Sequence, residues 1–214
     1  MKIRISIFSF LLCAASMSAQ NVGENSEAVL EQQAEPSAEM LYNLGKHLYD
    51  NEEYGEAMTY LERAANQGVM PAQSLLGNMF YLGQGVEPND AKAALWYEKA
   101  ANQGDAASQY FLGNIFYAGK GVVNDQKSAA YWFEKAAEQD LDMAQLQIAN
   151  MYYLGQGVKQ DNSKAAYWYE KAAVLGNASA QRVLAEFYEF GIGVKKDSKK
   201  AEYWQKKFIE NALR

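Results

Sequence analysis

Reactive side chains are few in kind. His47 is the single histidine, and the single cysteine, Cys13, falls in an N-terminal segment expected to be removed. The mature chain therefore has no thiolate nucleophile, no cysteine metal site and no disulfide. No run of histidines or carboxylates has the spacing of converging metal ligands, so neither a metal nor another cofactor is expected. Carboxylates are plentiful, which leaves a glycosidase-type acid pair open on composition alone. Glu98, Glu134 and Glu170, however, recur at one interval and read as helix-surface charges.

Binding chemistry is better represented than catalytic chemistry. Lys46, Asn78, Asn114, Asn150 and Glu186 form one column, and Tyr49, Tyr81, Tyr117, Tyr153 and Glu189 form another three residues later. Residues three apart are neighbours on a helix surface, so Asn and Tyr would alternate as a ladder. Asn offers a donor and an acceptor to the backbone of an extended peptide, and Tyr adds rigid apolar area with a hydroxyl. Packing of the tyrosines between repeats is the competing reading. A third group, Lys195, Lys196, Lys199 and Lys200, makes a basic end on an acidic protein. It reads as a solvated cap or as a docking site for an acidic partner or an anionic surface.

These columns exist because the chain repeats itself. Gly83, Gly119, Gly155 and Gly191 lie 36 positions apart, as do Gly85, Gly121, Gly157 and Gly193, and Trp96, Trp132, Trp168 and Trp204. A period of this size marks a solenoid, whose units bury their apolar faces only by stacking. Within a unit, Leu76, Met79 and Phe80, then Ala93, Trp96, Tyr97, Ala100 and Ala101, fall at helical spacings. Each unit is thus two amphipathic helices joined by a glycine turn. Asn89, Asp125, Asp161 and Asp197 are expected N-caps of the second helices. Gly77 and Gly113 are expected to let the first helix approach the Ala100, Ala136 and Ala172 column closely. The tryptophans read as core. His47 shares a column with Met79, Ile115, Met151 and Phe187 and reads as a partly buried structural residue.

Residues 1–19 carry Lys2 and Arg4, an apolar run from Ile5 to Ala15 and the small residues Ser16, Ser18 and Ala19, the pattern of a cleaved secretory signal. The apolar run is shorter than the roughly 20 residues of a membrane span, so no transmembrane anchor is expected after cleavage. The mature protein is expected in the periplasm or outside the cell. Removing Lys2 and Arg4 leaves 18 basic residues against 26 acidic ones, a formal charge of −8 instead of −6. Nucleic acid is accordingly not an expected partner. Residues 20–38 are polar and acidic, without a sustained apolar period, and read as a flexible leader. The repeats then run over 39–70, 71–106, 107–142, 143–178 and 179–214, the first being four residues shorter in its turn.

The segments LGNMFYLGQGV with ALWYEKAANQG, LGNIFYAGKGV with AYWFEKAAEQD, and MYYLGQGVKQD with AYWYEKAAVLG resemble the Sel1-like repeat, the glycine-bearing relative of the tetratricopeptide repeat. The shorter unit in front resembles a plain tetratricopeptide repeat. The resemblance implies an all-α fold, an α/α solenoid of about five helix-turn-helix repeats in a right-handed superhelix, with the first helices lining a concave groove. It implies a protein or peptide partner; with tetratricopeptide packing the Asn and Tyr columns point into that groove, and a peptide-binding groove centred on Asn114 and Tyr117 is expected. The expected function is an exported, non-enzymatic scaffold. An envelope hydrolase or β-lactam-binding enzyme, and a secreted effector acting on host proteins, are the alternatives. Some exported relatives pair cysteines in each repeat, which this chain does not. The oligomeric state is not legible.

Overall fold

Seven of the ten helices described begin at a residue whose side chain accepts a first-turn N–H. Ser37 Oγ accepts the Met40 N–H at 3.2 Å and opens α1, Ala38–Asp50, in a computed structural model that describes residues 35–213. The signal segment and most of the acidic leader lie outside the described residues. The other helices are α2 (Tyr54–Asn66), α3 (Met70–Leu82), α4 (Asp90–Asn102), α5 (Ala106–Ala118), α6 (Gln126–Ala137), α7 (Asp142–Leu154), α8 (Asn162–Val174), α9 (Ala178–Phe190) and α10 (Ser198–Ala212). No strand occurs among the described residues. Asn89, Asp125, Asp161 and Asp197 cap α4, α6, α8 and α10, each side chain accepting one or two backbone N–H groups of the first turn. Caps of this kind contribute about 1 kcal/mol each.

The two glycines of each turn do different work. Gly83, Gly119, Gly155 and Gly191 end the first helices in the left-handed region, with φ of 66° to 74°. At the second glycine the constraint is also steric. A Cβ on Gly121 would overlap the Asp90–Ala91 backbone, one on Gly157 the Gln126 carbonyl, and one on Gly193 the Asn162 carbonyl. Each turn therefore rests directly on the N-terminus of the second helix of the preceding repeat. Asp140 takes the left-handed position (φ 59°) that Gly68, Gly104 and Gly176 take elsewhere. Asp is one of the few non-glycine residues that does so at modest cost.

Close approach within a repeat differs in detail from the expectation. The atoms nearest to a Cβ on Gly77 are those of the Tyr97 ring, at 2.5 Å, and on Gly113 those of the Phe133 ring, at 2.8 Å. The bare positions thus receive an aromatic face one turn before the alanine column. The alanines Ala100, Ala136 and Ala172 are fully buried all the same.

Each helix packs on its neighbours in sequence, and the first helices of successive repeats also approach one another, α1 to α3 and α3 to α5. Second helices show no comparable approach, which puts the first helices on the inner, concave side. A side-chain ladder that the sequence reading missed ties the repeats together. Gln73, Gln109, Gln145 and Gln181 are buried, and their amides donate to the carbonyls of Ala65, Ala101, Ala137 and Ala173 at the end of the preceding second helix. Their own Oε1 atoms accept from Gln103, Gln139 and Asn211 in three of the four cases. Leu175 stands at the fourth position, and Gln145 Oε1 is left buried without a partner.

Candidate functional site

The inner face of the middle repeat differs from its neighbours. In the second and fourth repeats a buried phenol claims the groove asparagine, Tyr97 OH donating to Asn78 Oδ1 at 2.8 Å and Tyr169 OH to Asn150 Oδ1 at 2.5 Å. The third repeat has Phe133 in that column, so no hydroxyl reaches Asn114. Asn114 instead donates through Nδ2 to the Tyr110 carbonyl at 3.1 Å, and among the described residues its Oδ1 accepts no hydrogen bond. Burial pushes the Tyr169 phenol up to about 12 and the Tyr97 phenol further still. Both stay protonated near neutral pH, so the Asn78 and Asn150 oxygens remain occupied.

The same repeat carries unusual aromatics. Tyr110 and Phe111 stand where the other full repeats have Ser74 and Leu75, Leu146 and Gln147, and Arg182 and Val183. Phe111 stacks on Tyr97 (5.3 Å between ring centres, 16° between planes) and leans on Tyr81 at 6.1 Å, while Tyr110 packs on Phe133 at 5.8 Å. The result is a cavity of about 460 Å³ bounded by Tyr81, Phe111, Asn114, Tyr117, Lys120 and Met143. Its walls are aromatic, with a free amide oxygen in them and one lysine. That volume falls in the range of sites that hold a side chain or a small ligand.

Of the expected groove residues, the structure thus gathers Asn114, Tyr117 and Tyr81 around one cavity. The others are engaged elsewhere or stand apart from it. Tyr49 OH donates to Gln84 Oε1 at 2.9 Å in the next turn and its ring meets Tyr54 edge-on. Tyr117 makes the matching bond to Gln156 at 3.3 Å. Tyr153 packs on Phe187 at 5.3 Å between ring centres. Lys46 pairs with Asp50 at 2.8 Å, an exposed pair of the kind that contributes little to stability.

His47 corrects an expectation, for it is exposed, its Nδ1 lying 3.2 Å from Asn51 Nδ2. Met79, Ile115, Met151 and Phe187 are buried in that column because each packs towards a preceding repeat. No preceding repeat lies before α1 among the described residues. The tryptophans are buried or half-buried, as core residues.

At the other end Lys195, Lys196, Lys199 and Lys200 edge a depression of about 660 Å³ together with Tyr188, Asp197 and Ser198. Lys200 Nζ donates to Tyr188 OH at 3.2 Å and sits 4.7 Å from its ring centre. The same contact joins Lys164 to Tyr152, whose hydroxyl donates to Glu134 at 2.8 Å. Lys200 is therefore half committed to a repeat interface, while Lys195, Lys196 and Lys199 make no ion pair among the described residues. Also among these residues, no three His, Cys, Asp or Glu side chains are grouped to hold a metal, and no helix is long and apolar enough to cross a membrane.

The cavity had a legible signal, the failure of three columns to repeat at Tyr110, Phe111 and Phe133. Regularity drew attention to the asparagines, yet it is the irregular residues that make one of them different.

A family model described as Sel1 repeat matches residues 38–69, 71–105, 106–141, 142–177 and 178–212. The crystal structure of a Sel1 repeat protein from Oxalobacter formigenes is similar at 35% identity, covering 79% of this chain and 70% of that one, with a TM-score of 0.74. YrrB, a TPR protein with an unusual peptide-binding site, is similar at 18% identity over 83% of this chain and 87% of its own, with a TM-score of 0.54. MamA is similar at 18% identity over 82% of this chain and 92% of its own, with a TM-score of 0.53. No curated protein matches the chain. With the repeat model matched five times from residue 38 to residue 212 and the solenoid built as its periodicity requires, the chain belongs to the Sel1 repeat family.

Proposed function

We propose that this protein is an exported, non-enzymatic scaffold that binds an extended segment of a partner protein on its concave face, at the cavity of the third repeat. Repeat folds of this kind are typically protein-interaction scaffolds, and YrrB, of the same fold, has a peptide-binding site. The observation that carries the reading is the release of Asn114 by Phe133 beside an aromatic cavity, where the neighbouring repeats keep the same asparagine occupied. An apolar side chain of the partner fills the aromatic walls, and a backbone N–H of the same segment donates to Asn114 Oδ1. Export rests on the signal pattern of residues 1–19 and places the scaffold in the periplasm or outside the cell.

The test is affinity capture from an envelope extract with residues 20–214 as bait, beside folded Asn114→Ala and Tyr117→Ala variants. A protein held by the wild type and lost by both variants supports the reading and supplies the segment for titration. Equal retention by all three removes the site from the cavity.

A further inference from the structure

The two ends of the solenoid fit one another. On the outer face of α1, Met40 stands in the column of Ala72, Ser108, Ala144 and Ala180, each 0% exposed, yet Met40 is 59% exposed. On the outer face of α10, Ile209 stands in the column of Ala65, Ala101, Ala137 and Ala173, none above 2%, yet Ile209 is 47% exposed. Inside the solenoid these two columns meet, Ala65 and Ala72 sharing one core. An α1 laid on α10 in the internal register would bring Met40 against Ile209.

The charges follow the same register. Within the solenoid, the turn after a first helix rests on the start of the preceding second helix, as Gly193 does on Asn162 and Ser163. The α10 counterparts of those two residues are Ser198 and Lys199, amid the cluster with Lys195, Lys196 and Lys200. The corresponding turn of the first repeat is Asp50-Asn51-Glu52-Glu53. Residues 38–69 hold six acidic side chains against two basic ones, and residues 178–212 hold seven basic against five acidic.

We propose that the protein associates head to tail with a second copy of itself, α1 of one chain stacking on α10 of the next so that the superhelix continues across the joint. Met40 and Ile209 form its apolar centre, and the acidic turn covers the lysine cluster. Such an interface is heterologous and does not close on two chains, so association runs on to larger species. Glu202 and Gln205, where Ala166 and Tyr169 stand one repeat earlier, keep the α10 face polar enough that the association is weak and reversible.

The mature chain, residues 20–214, has no cysteine, which makes the register directly testable. Mixed Met40→Cys and Ile209→Cys chains should give a disulfide-linked heterodimer under mild oxidation, and the chain carrying both should give a ladder of multimers. By sedimentation, the average mass of the unmodified chain should rise about twofold or more with concentration, as an open interface requires. It should return to the monomer at about 1 M salt, where charges are screened beyond about 3 Å. Lys195→Glu with Lys199→Glu should block association, as should Glu52→Lys with Glu53→Lys. The chain bearing both swaps should associate again, which separates lost complementarity from a lost fold. A monomer at every concentration, or a double swap that fails to restore association, overturns the proposal.

Discussion

The second and fourth repeats on one side and the third on the other share their helices, caps and glycine turns, and differ in what a single asparagine does. Asn78 and Asn150 are bound inward by Tyr97 and Tyr169, whereas Asn114 faces Phe133 and keeps its oxygen free. A repeated residue in a solenoid is first a packing residue. Recognition becomes available where a partner position in the core changes, here by the loss of one hydroxyl. The contrast gives the asparagine column two roles that sequence identity hides.

The largest effect should come from the joint that the repeats share. Gly113→Leu drives a branched side chain into the Phe133 ring and should cost about 1–3 kcal/mol. Ala149 and Ala185 occupy the same column, so Gly113→Ala should cost much less, and thermal melts of the two variants compare them. An equal loss would show that the third repeat packs more tightly than the others.

Next in size are the asparagines themselves. Asn150→Ala leaves the buried Tyr169 hydroxyl without its acceptor and should destabilise by about 1–2 kcal/mol. Asn114→Ala removes no such bond and should stay within about 0.5 kcal/mol, which urea denaturation resolves. Equal costs would mean that the two asparagines are held alike.

Alkaline pH separates the repeats in another way. Tyr169 is held up to about 12 by burial, above the roughly 10 of an unfolded tyrosine. The fold favours the neutral phenol, so this contribution is whole below pH 10 and is lost as the pH rises from about 10 to about 12. Unfolding free energy should fall across that window, and Tyr169→Phe should flatten the fall, whereas Phe133→Leu should leave the slope as it is.

A smaller effect, of opposite sign, concerns the glutamine ladder. Leu175→Gln restores the missing rung by giving Gln145 Oε1 a donor, as Gln103 and Gln139 do for Gln73 and Gln109. It should raise stability by about 0.5–1.5 kcal/mol, seen as a higher urea midpoint.

Much of the fold is legible in the sequence. The glycine and tryptophan columns required a solenoid, and Asn89, Asp125, Asp161 and Asp197 marked helix starts because few residue types cap so well. The partner of a repeated residue was harder to read. The Gly113 column meets a ring because the helices cross one turn away from the alanines, and helical spacing does not set a crossing point. His47 reads as buried because its column is apolar, but that column is buried only when a preceding repeat lies against it. The free oxygen of Asn114 depends on Phe133, a residue of the second helix that sequence periodicity places only in the core.

Asn114 owes its free oxygen to Phe133. Phe133→Tyr would supply the hydroxyl that Tyr97 and Tyr169 supply in their repeats and close the Asn114 oxygen from within, leaving the groove surface otherwise unchanged. Titration of the captured partner segment against this variant isolates the effect of that one hydroxyl. A stable protein whose affinity falls about tenfold or more is expected, the equivalent of about 1.4 kcal/mol for one hydrogen bond. Undiminished affinity in a folded Phe133→Tyr protein would mean that the Asn114 oxygen takes no part in binding.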